Sequence, residues 1–146
     1  MPRSKRETRI DGFDPASDYP LSTVRPDLVT TPSGRRLEEL TLEAVRQGTV
    51  ADDDLRATAE TLRRQAAVAR ESRRHPLAAN LERAADLAAI SDHEILALYT
   101  ALRPGRSTGT ELEDWASRLE KELGAPQVAA FVREAAVAYR ESGLLR

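Results

Sequence analysis

The chain has 146 residues, 40% hydrophobic and 32% charged, with a formal net charge of −2. One domain is the expectation at this length, and interspersed acids and bases leave no field to gather nucleic acid or an anionic membrane. The absence of cysteine excludes disulfides, thiolate nucleophiles and thiolate metal sites. No apolar run reaches the length of a membrane span or a signal-peptide core, so the cytoplasm is the expected compartment.

Five of the eight prolines, Pro2, Pro15, Pro20, Pro26 and Pro32, fall in the first 32 residues. Proline lacks the amide hydrogen of a helix interior and biases its predecessor toward extended backbone. Residues 1–36 therefore read as an extended arm, basic over its first ten residues; its stretch from about Asp14 to Pro32 cannot build a core of its own and is expected to be ordered only against a partner. Helical signals take over at Leu37. A first helix covers about 37–47 and stops at Gly48. Asp52-Asp53-Asp54-Leu55-Arg56 reads as a short acidic turn, and Thr58 as the N-cap of a helix over about 59–73 with Leu62, Ala66 and Ala69 in phase. Pro76 suits the first position of the next helix, whose stripe is Leu77, Leu81, Ala84 and Leu87. Ser91 to Glu94 and Thr108 to Glu111 are capping-box patterns. They open helices carrying Ile95, Leu98 and Leu102, and then Leu112, Trp115, Leu119 and Leu123. A last helix starts at Pro126 and carries Val128, Phe131 or Val132, Ala135 and Tyr139. The expected fold is all-α: a compact domain of about six helices over 37–146, preceded by the extended proline-containing arm. With only six aromatics, and with 23 alanines among the hydrophobic residues, its core must be thin.

Catalytic chemistry is hard to find. His75 and His93 are 18 residues apart, outside any ligand spacing, and each lies at a helix start. Three consecutive aspartates cannot converge on one cation if helical, and acids at a helix start complement its dipole. Arg63, Arg64, Arg70, Arg73 and Arg74 end one helix just before another, an arrangement a helix-turn-helix DNA reader shares. There is, however, no glycine in the turn and no basic stripe on the second helix. The glycines are isolated, so no phosphate loop forms. No catalytic, cofactor-binding or metal-binding residue is assigned. On these grounds the chain reads as an interaction or structural module, with a stand-alone helical adaptor and a small DNA-binding regulator as the rival readings.

The order of short motifs carries more. Tyr19-Pro20-Leu21, Leu42-Glu43-Ala44-Val45 with Gly48, Asp54-Leu55-Arg56, Glu60-Thr61-Leu62-Arg63 and Gln65-Ala66 are followed by Asn80-Leu81-Glu82-Arg83-Ala84-Ala85. Then come Ile95, Tyr99, Ala101-Leu102-Arg103-Pro104, Arg106-Ser107-Thr108, Glu111-Leu112 and Ala130-Phe131-Val132-Arg133-Glu134-Ala135 with Tyr139. In this collinear series the chain resembles the small (gamma) subunit of adenosylcobalamin-dependent diol and glycerol dehydratases. The resemblance implies a hydro-lyase complex, a dimer of heterotrimers. Its large subunit holds the substrate and a metal ion, and the adenosylcobalamin lies between large and medium subunits. The cofactor's cobalt–carbon bond breaks to start a radical conversion of a vicinal diol to an aldehyde. This chain is then a non-catalytic helical brace, with no part in nucleic-acid or membrane binding. Its motif positions Tyr19, Pro20, Leu21, Arg56, Gln65, Asn80, Arg83, Arg103, Arg106 and Arg133 are the candidate interface residues. At least one of Arg103, Arg106 and Arg133 is expected to make fixed, charge-assisted bonds that close a helix end or reach a partner carboxylate. Two local departures are Ala59, where relatives often have proline, and Gly105, where they have an aromatic. Met1 to Pro20 offers mainly Ile10 and Phe13 among charges, without the amphipathic stripe that microcompartment-housed members carry, so such targeting through this chain is not supported.

Overall fold

In the computed structural model of the chain, residues 12–146 are described; the basic first ten residues, Ile10 among them, lie outside the described residues. Seven α-helices and three short 3-10 turns make up the regular structure. Extended pairing is limited to isolated bridges such as Thr30 with Arg36, and no strand forms among the described residues. The fold is all-α, as expected. Contacts cluster into two compact units divided between Ala85 and Asp86.

The first unit contains the arm and three helices after it. The arm is not a coreless strap. Its helical turn α1 (Leu21–Val24) and a 3-10 turn (Pro26–Leu28) follow closely, and Phe13 and Leu21 bury themselves with Ala67, flanked by Leu28, Val29 and Val68. The prolines explain the difference. Pro20 is the N-cap of α1 and Pro26 opens the 3-10 turn, positions where a missing amide hydrogen is not needed, so they start turns rather than extend the chain. The single helix expected over 37–47 is divided. A 3-10 turn (Leu37–Glu39) ends at Leu40, and Thr41 restarts the chain as α2 (Leu42–Arg46) by accepting a hydrogen bond from the Ala44 amide at 3.1 Å. After the acidic 3-10 turn Asp52–Leu55, helix α3 (Ala59–Glu71) is capped by Thr58 through the Thr61 amide. It buries Ala66, Ala67 and Ala69.

Helix α4 (His75–Leu87) starts one residue before Pro76 and runs across the division. Its buried residues are Ala78, Ala85 and Asp86, whereas Leu77 is 44% exposed. Of the leucine stripe read from the sequence, Leu77 faces out, Leu81 and Ala84 are half-buried and Leu87 packs against the second unit's core, while the fully buried positions belong to the alanine face.

In the second unit α5 (Asp92–Ala101), α6 (Gly109–Lys121) and α7 (Pro126–Glu141) enclose one core. Helices α6 and α7 form a hairpin through Gly124 and Ala125, with Leu112, Ala116 and Leu119 opposite Val128, Ala129, Val132 and Ala136. Ile90 and Leu98 complete this core, and Trp115 and Tyr139 pack at its edge. The capping box of Thr108 and Glu111 forms in full. At Ser91 only half of the expected box is present: its hydroxyl accepts from the Glu94 amide, but the Glu94 carboxylate takes the serine hydroxyl and Arg118 instead of the Ser91 amide. Of the two residues weighed for the α7 stripe, Val132 is fully buried and Phe131 faces out.

Candidate interaction surface

Three charged side chains are buried, and each fastens one segment to another. Arg64 on α3 donates to the Leu28 carbonyl at 2.9 Å and stands 3.7 Å from Glu60, locking the arm to the helix. Asp54, the last of the three aspartates, accepts from the amides of Ser33 (3.3 Å) and Ala51 (3.4 Å), with Arg35 at 3.6 Å. The Ser33 hydroxyl, then that of Thr31, holds its carboxyl below the usual carboxylate range against the opposing effect of burial. Asp86 near the end of α4 accepts from the amides of Gln127 at 2.7 Å and Val128 at 3.3 Å. These are orphan donors of α7, whose own N-cap, Ala125, has no side chain to satisfy them. The sequence reading assigned none of these roles.

With the interior anchored in this way, the outer surface carries what is left to act on other molecules. Among the described residues no three of His, Cys, Asp and Glu gather where a metal ion could sit. Both histidines are exposed. Eleven large apolar side chains among the described residues, in contrast, are at least two-fifths exposed. Several form helical pairs: Leu42 with Val45 on α2, and Leu96 (67%) with Tyr99 (61%) on α5. Isolated exposed apolar residues are ordinary, but paired ones at helical spacing make patches of the kind that meet other proteins.

A groove of about 730 Å³ runs along α3 and α4 in the first unit. Its lining is Val68, Ala69, Leu77 and Leu81, with Gln65, Ser72, Arg74 and Tyr19. The turn that joins the two helices has an unusual backbone. Arg73 has φ +58°, a left-handed conformation and the one such value among the non-glycine described residues. Its amide donates to the Arg70 carbonyl (3.0 Å) and the Arg74 amide to the Ala69 carbonyl (2.8 Å). This is the paired pattern that closes many helix ends, and glycine normally occupies the left-handed position. The same pattern closes α2 at Gly48 and α7 at Gly143. A side chain in place of glycine there costs about 1 kcal/mol.

The residues singled out as interface candidates divide as follows. Tyr19 is 59% exposed and lines the groove with Gln65. Pro20 is exposed at the start of α1, while Leu21 is buried in the chain's own core. Arg56 and Asn80 are exposed, Arg56 lying 3.3 Å from Asp53, and Arg83 is half-buried on α4. Arg103 and Arg106 are exposed. The end of α5 that they were expected to close is satisfied otherwise: the Ser107 hydroxyl donates to the Ala101 carbonyl (2.8 Å) and the Tyr139 hydroxyl to the Leu102 carbonyl (2.6 Å). Arg133 does make fixed charge-assisted bonds, within the chain. It donates to Glu120 at 2.8 Å and Glu113 at 3.0 Å, which together raise its pKa above the ordinary arginine value. Arg118 likewise pairs with Glu94 on another helix and makes a cation–π contact with Trp115 (5.4 Å).

A surface of paired apolar residues agrees with what the chain is similar to. Residues 15–146 match the family described as dehydratase small subunit. The propanediol dehydratase small subunit of Salmonella typhimurium is 48% identical over 130 residues, 89% of this chain and 75% of that protein. That of Citrobacter freundii is 47% identical over 130 residues, 89% and 76% respectively. The chain belongs to the dehydratase small-subunit family, and as a small subunit it works with partner subunits of a dehydratase.

Proposed function

We propose that the chain is the non-catalytic small subunit of an adenosylcobalamin-dependent diol dehydratase acting on 1,2-propanediol, glycerol or a similar vicinal diol. It braces the large subunit within a dimer of large, medium and small heterotrimers. The observation that carries this reading is the 48% identity to a propanediol dehydratase small subunit across 89% of the chain. At that level the buried plan and much of the surface are shared, so the role is expected to be shared as well. The exposed pairs Leu42 with Val45 and Leu96 with Tyr99 support it, since a brace needs apolar surface left over after its own core is filled.

Adenosylcobalamin belongs to the partner subunits in this reading, where it supplies the radical chemistry that dehydrates the diol. The grooves described on this chain are open and lined in part by charged side chains, and this reading gives none of them to the cofactor. No chemical step is therefore assigned to a residue of this chain. Its contribution is mechanical, holding partner surfaces that would otherwise be exposed to water.

Co-expression with the large and medium subunits tests the proposal. A tag on this chain should recover all three, and the complex given adenosylcobalamin should form aldehyde from 1,2-propanediol. The purified chain alone should turn over no diol and retain no cobalamin spectrum after dialysis. Aldehyde formation or retained cobalamin by the chain alone would contradict the brace reading. A chain that stays monomeric in the presence of both partners would favour the stand-alone adaptor.

A further inference from the structure

We propose that the groove along α3 and α4, with the Arg73–Arg74 turn at its end, receives an acidic segment of a partner subunit. That segment sets an aliphatic or aromatic side chain against Leu77 and Leu81 and carboxylates against the two guanidinium groups. The inference rests on the small-subunit reading and adds to it the place and the chemistry of one contact.

The backbone supplies the first reason. Three helix ends share one hydrogen-bond pattern, and two of them have glycine at the left-handed position, Gly48 and Gly143. The third has Arg73. Glycine would relieve the strain, and asparagine would tolerate it better than arginine does. Strain of this kind persists where the side chain has a use. Closing the helix is not that use. The closing bonds come from backbone amides, and the favourable cation at the carbonyl end of α3 is already present in Arg70, held by Glu82.

The second reason is charge. Arg73 and Arg74 are both exposed, and among the described residues neither guanidinium is paired with a carboxylate. Other arginines on the outer surface, Arg25, Arg36, Arg118 and Arg133 among them, do have such a partner. Two adjacent unpaired cations match carboxylates supplied from outside, and the planar guanidinium fork suits them.

The third reason is the second apolar line on α4. The helix buries Ala78, Ala85 and Asp86, yet its Leu77 and Leu81 continue the helical stripe onto the groove, where Leu77 and Tyr19 stand open. A groove with an apolar wall and Arg74 in its lining, next in the chain to the unpaired Arg73, selects a protein segment with an apolar anchor and acidic neighbours. A nucleic acid is the poorer match, because a phosphate track needs a continuous line of cations and Glu60, Glu71 and Glu82 interrupt the arginines along these helices.

The experiment uses the full chain co-expressed with the large and medium subunits. Arg73→Gly should raise the melting temperature of the isolated chain by about 3 °C, because the left-handed strain is gone. The same variant should bind the partner subunits at least tenfold more weakly, a difference that shrinks in 0.5 M salt. Arg74→Ala and Leu77→Ser should also weaken binding tenfold or more while the isolated chain still folds. A photo-crosslinking residue at position 77 should capture a partner-subunit peptide containing Asp or Glu. Parent-like binding by all three variants overturns the inference and leaves the small-subunit reading intact. Failure of the parent to co-purify with either subunit overturns both. Salt-dependent DNA binding by the parent, lost in Arg73→Gly, would assign the turn to nucleic acid and refute the acidic segment.

Discussion

Replacing Asp86 by alanine is the sharpest test of how the second unit is held together. The carboxylate is 4% exposed and takes hydrogen bonds from the Gln127 and Val128 amides at 2.7 and 3.3 Å. Its removal leaves two α7 amides without their acceptor in a water-poor place, and Ala125 cannot substitute as a cap. Loss of a capping side chain typically costs about 1–2 kcal/mol, and a buried unsatisfied amide about 1–3 kcal/mol. These overlap rather than add, so the expected loss is about 2–3 kcal/mol, equivalent to a fall of roughly 8 °C in melting temperature for a chain of this size. The single tryptophan, Trp115, packs at the edge of the same core, so its fluorescence reports on the affected unit during thermal or urea unfolding. Asp86→Asn keeps an oxygen acceptor without the charge and should lose about half as much. If Asp86→Ala melts within 2 °C of the parent by tryptophan fluorescence, the carboxylate does not hold α7 and the argument fails.

Tyr139→Phe removes the hydroxyl that closes α5 at the Leu102 carbonyl and should cost about 1 kcal/mol by urea unfolding, with no loss of helix by circular dichroism; an unchanged midpoint would contradict that bond. Acid should weaken the first unit through Asp54. Its folded pKa lies below the unfolded carboxylate value of about 4, so its contribution is complete above that pH and disappears as pH falls through the folded pKa. Melting temperature should thus be flat from pH 7 to 5 and fall below 4, with a shallower fall in Asp54→Asn; identical acid profiles would refute the assignment. Arg133→Ala should shift the melting temperature of the isolated chain by no more than about 2 °C, since exposed ion pairs are screened by water; a much larger drop would mean that its bonds to Glu113 and Glu120 are worth more than surface pairs.

What the sequence discloses here is local, and what it conceals is long-range. Thr58, Thr108, Pro126 and Gly48 act where a reader places them, because caps and stops depend on residues three or four positions away. The arm shows the limit of that logic. Its prolines indicate broken helix but not the destination of the chain, which depends on Ala67 and on Arg64, 36 residues beyond Leu28. Asp54 and Asp86 hold partners 21 and 41 residues away, so neither pairing has a sequence signature. A trace was nonetheless present. Arg64 lies three residues before Ala67 and Asp86 eight after Ala78, each in helical phase with buried alanines, and a charge on a buried face requires a partner somewhere. The face of α4 was misread for the opposite reason, since a leucine stripe is a stronger signal than an alanine one.

That inversion is also the most informative thing about the candidate surface. Nine of the eighteen buried hydrophobic residues are alanine, while leucines, tyrosines and valines remain in water on several helices. Alanine allows helix backbones to approach closely but removes little apolar area from solvent, so each such contact contributes little hydrophobic free energy. A chain selected to fold alone would gain by exchanging the two sets, with leucine inside and alanine outside. The exchange is disfavoured if the outward leucines and tyrosines are needed where a partner covers them. The helix with the most apolar outer face, α5, makes the point in one element. Ile95 and Leu98 serve the core of the second unit, and Leu96 and Tyr99 on the other side have no counterpart in it. A helix with large apolar side chains on two faces needs something beyond its own unit to cover the second, and for a small subunit the partner subunits are that larger body.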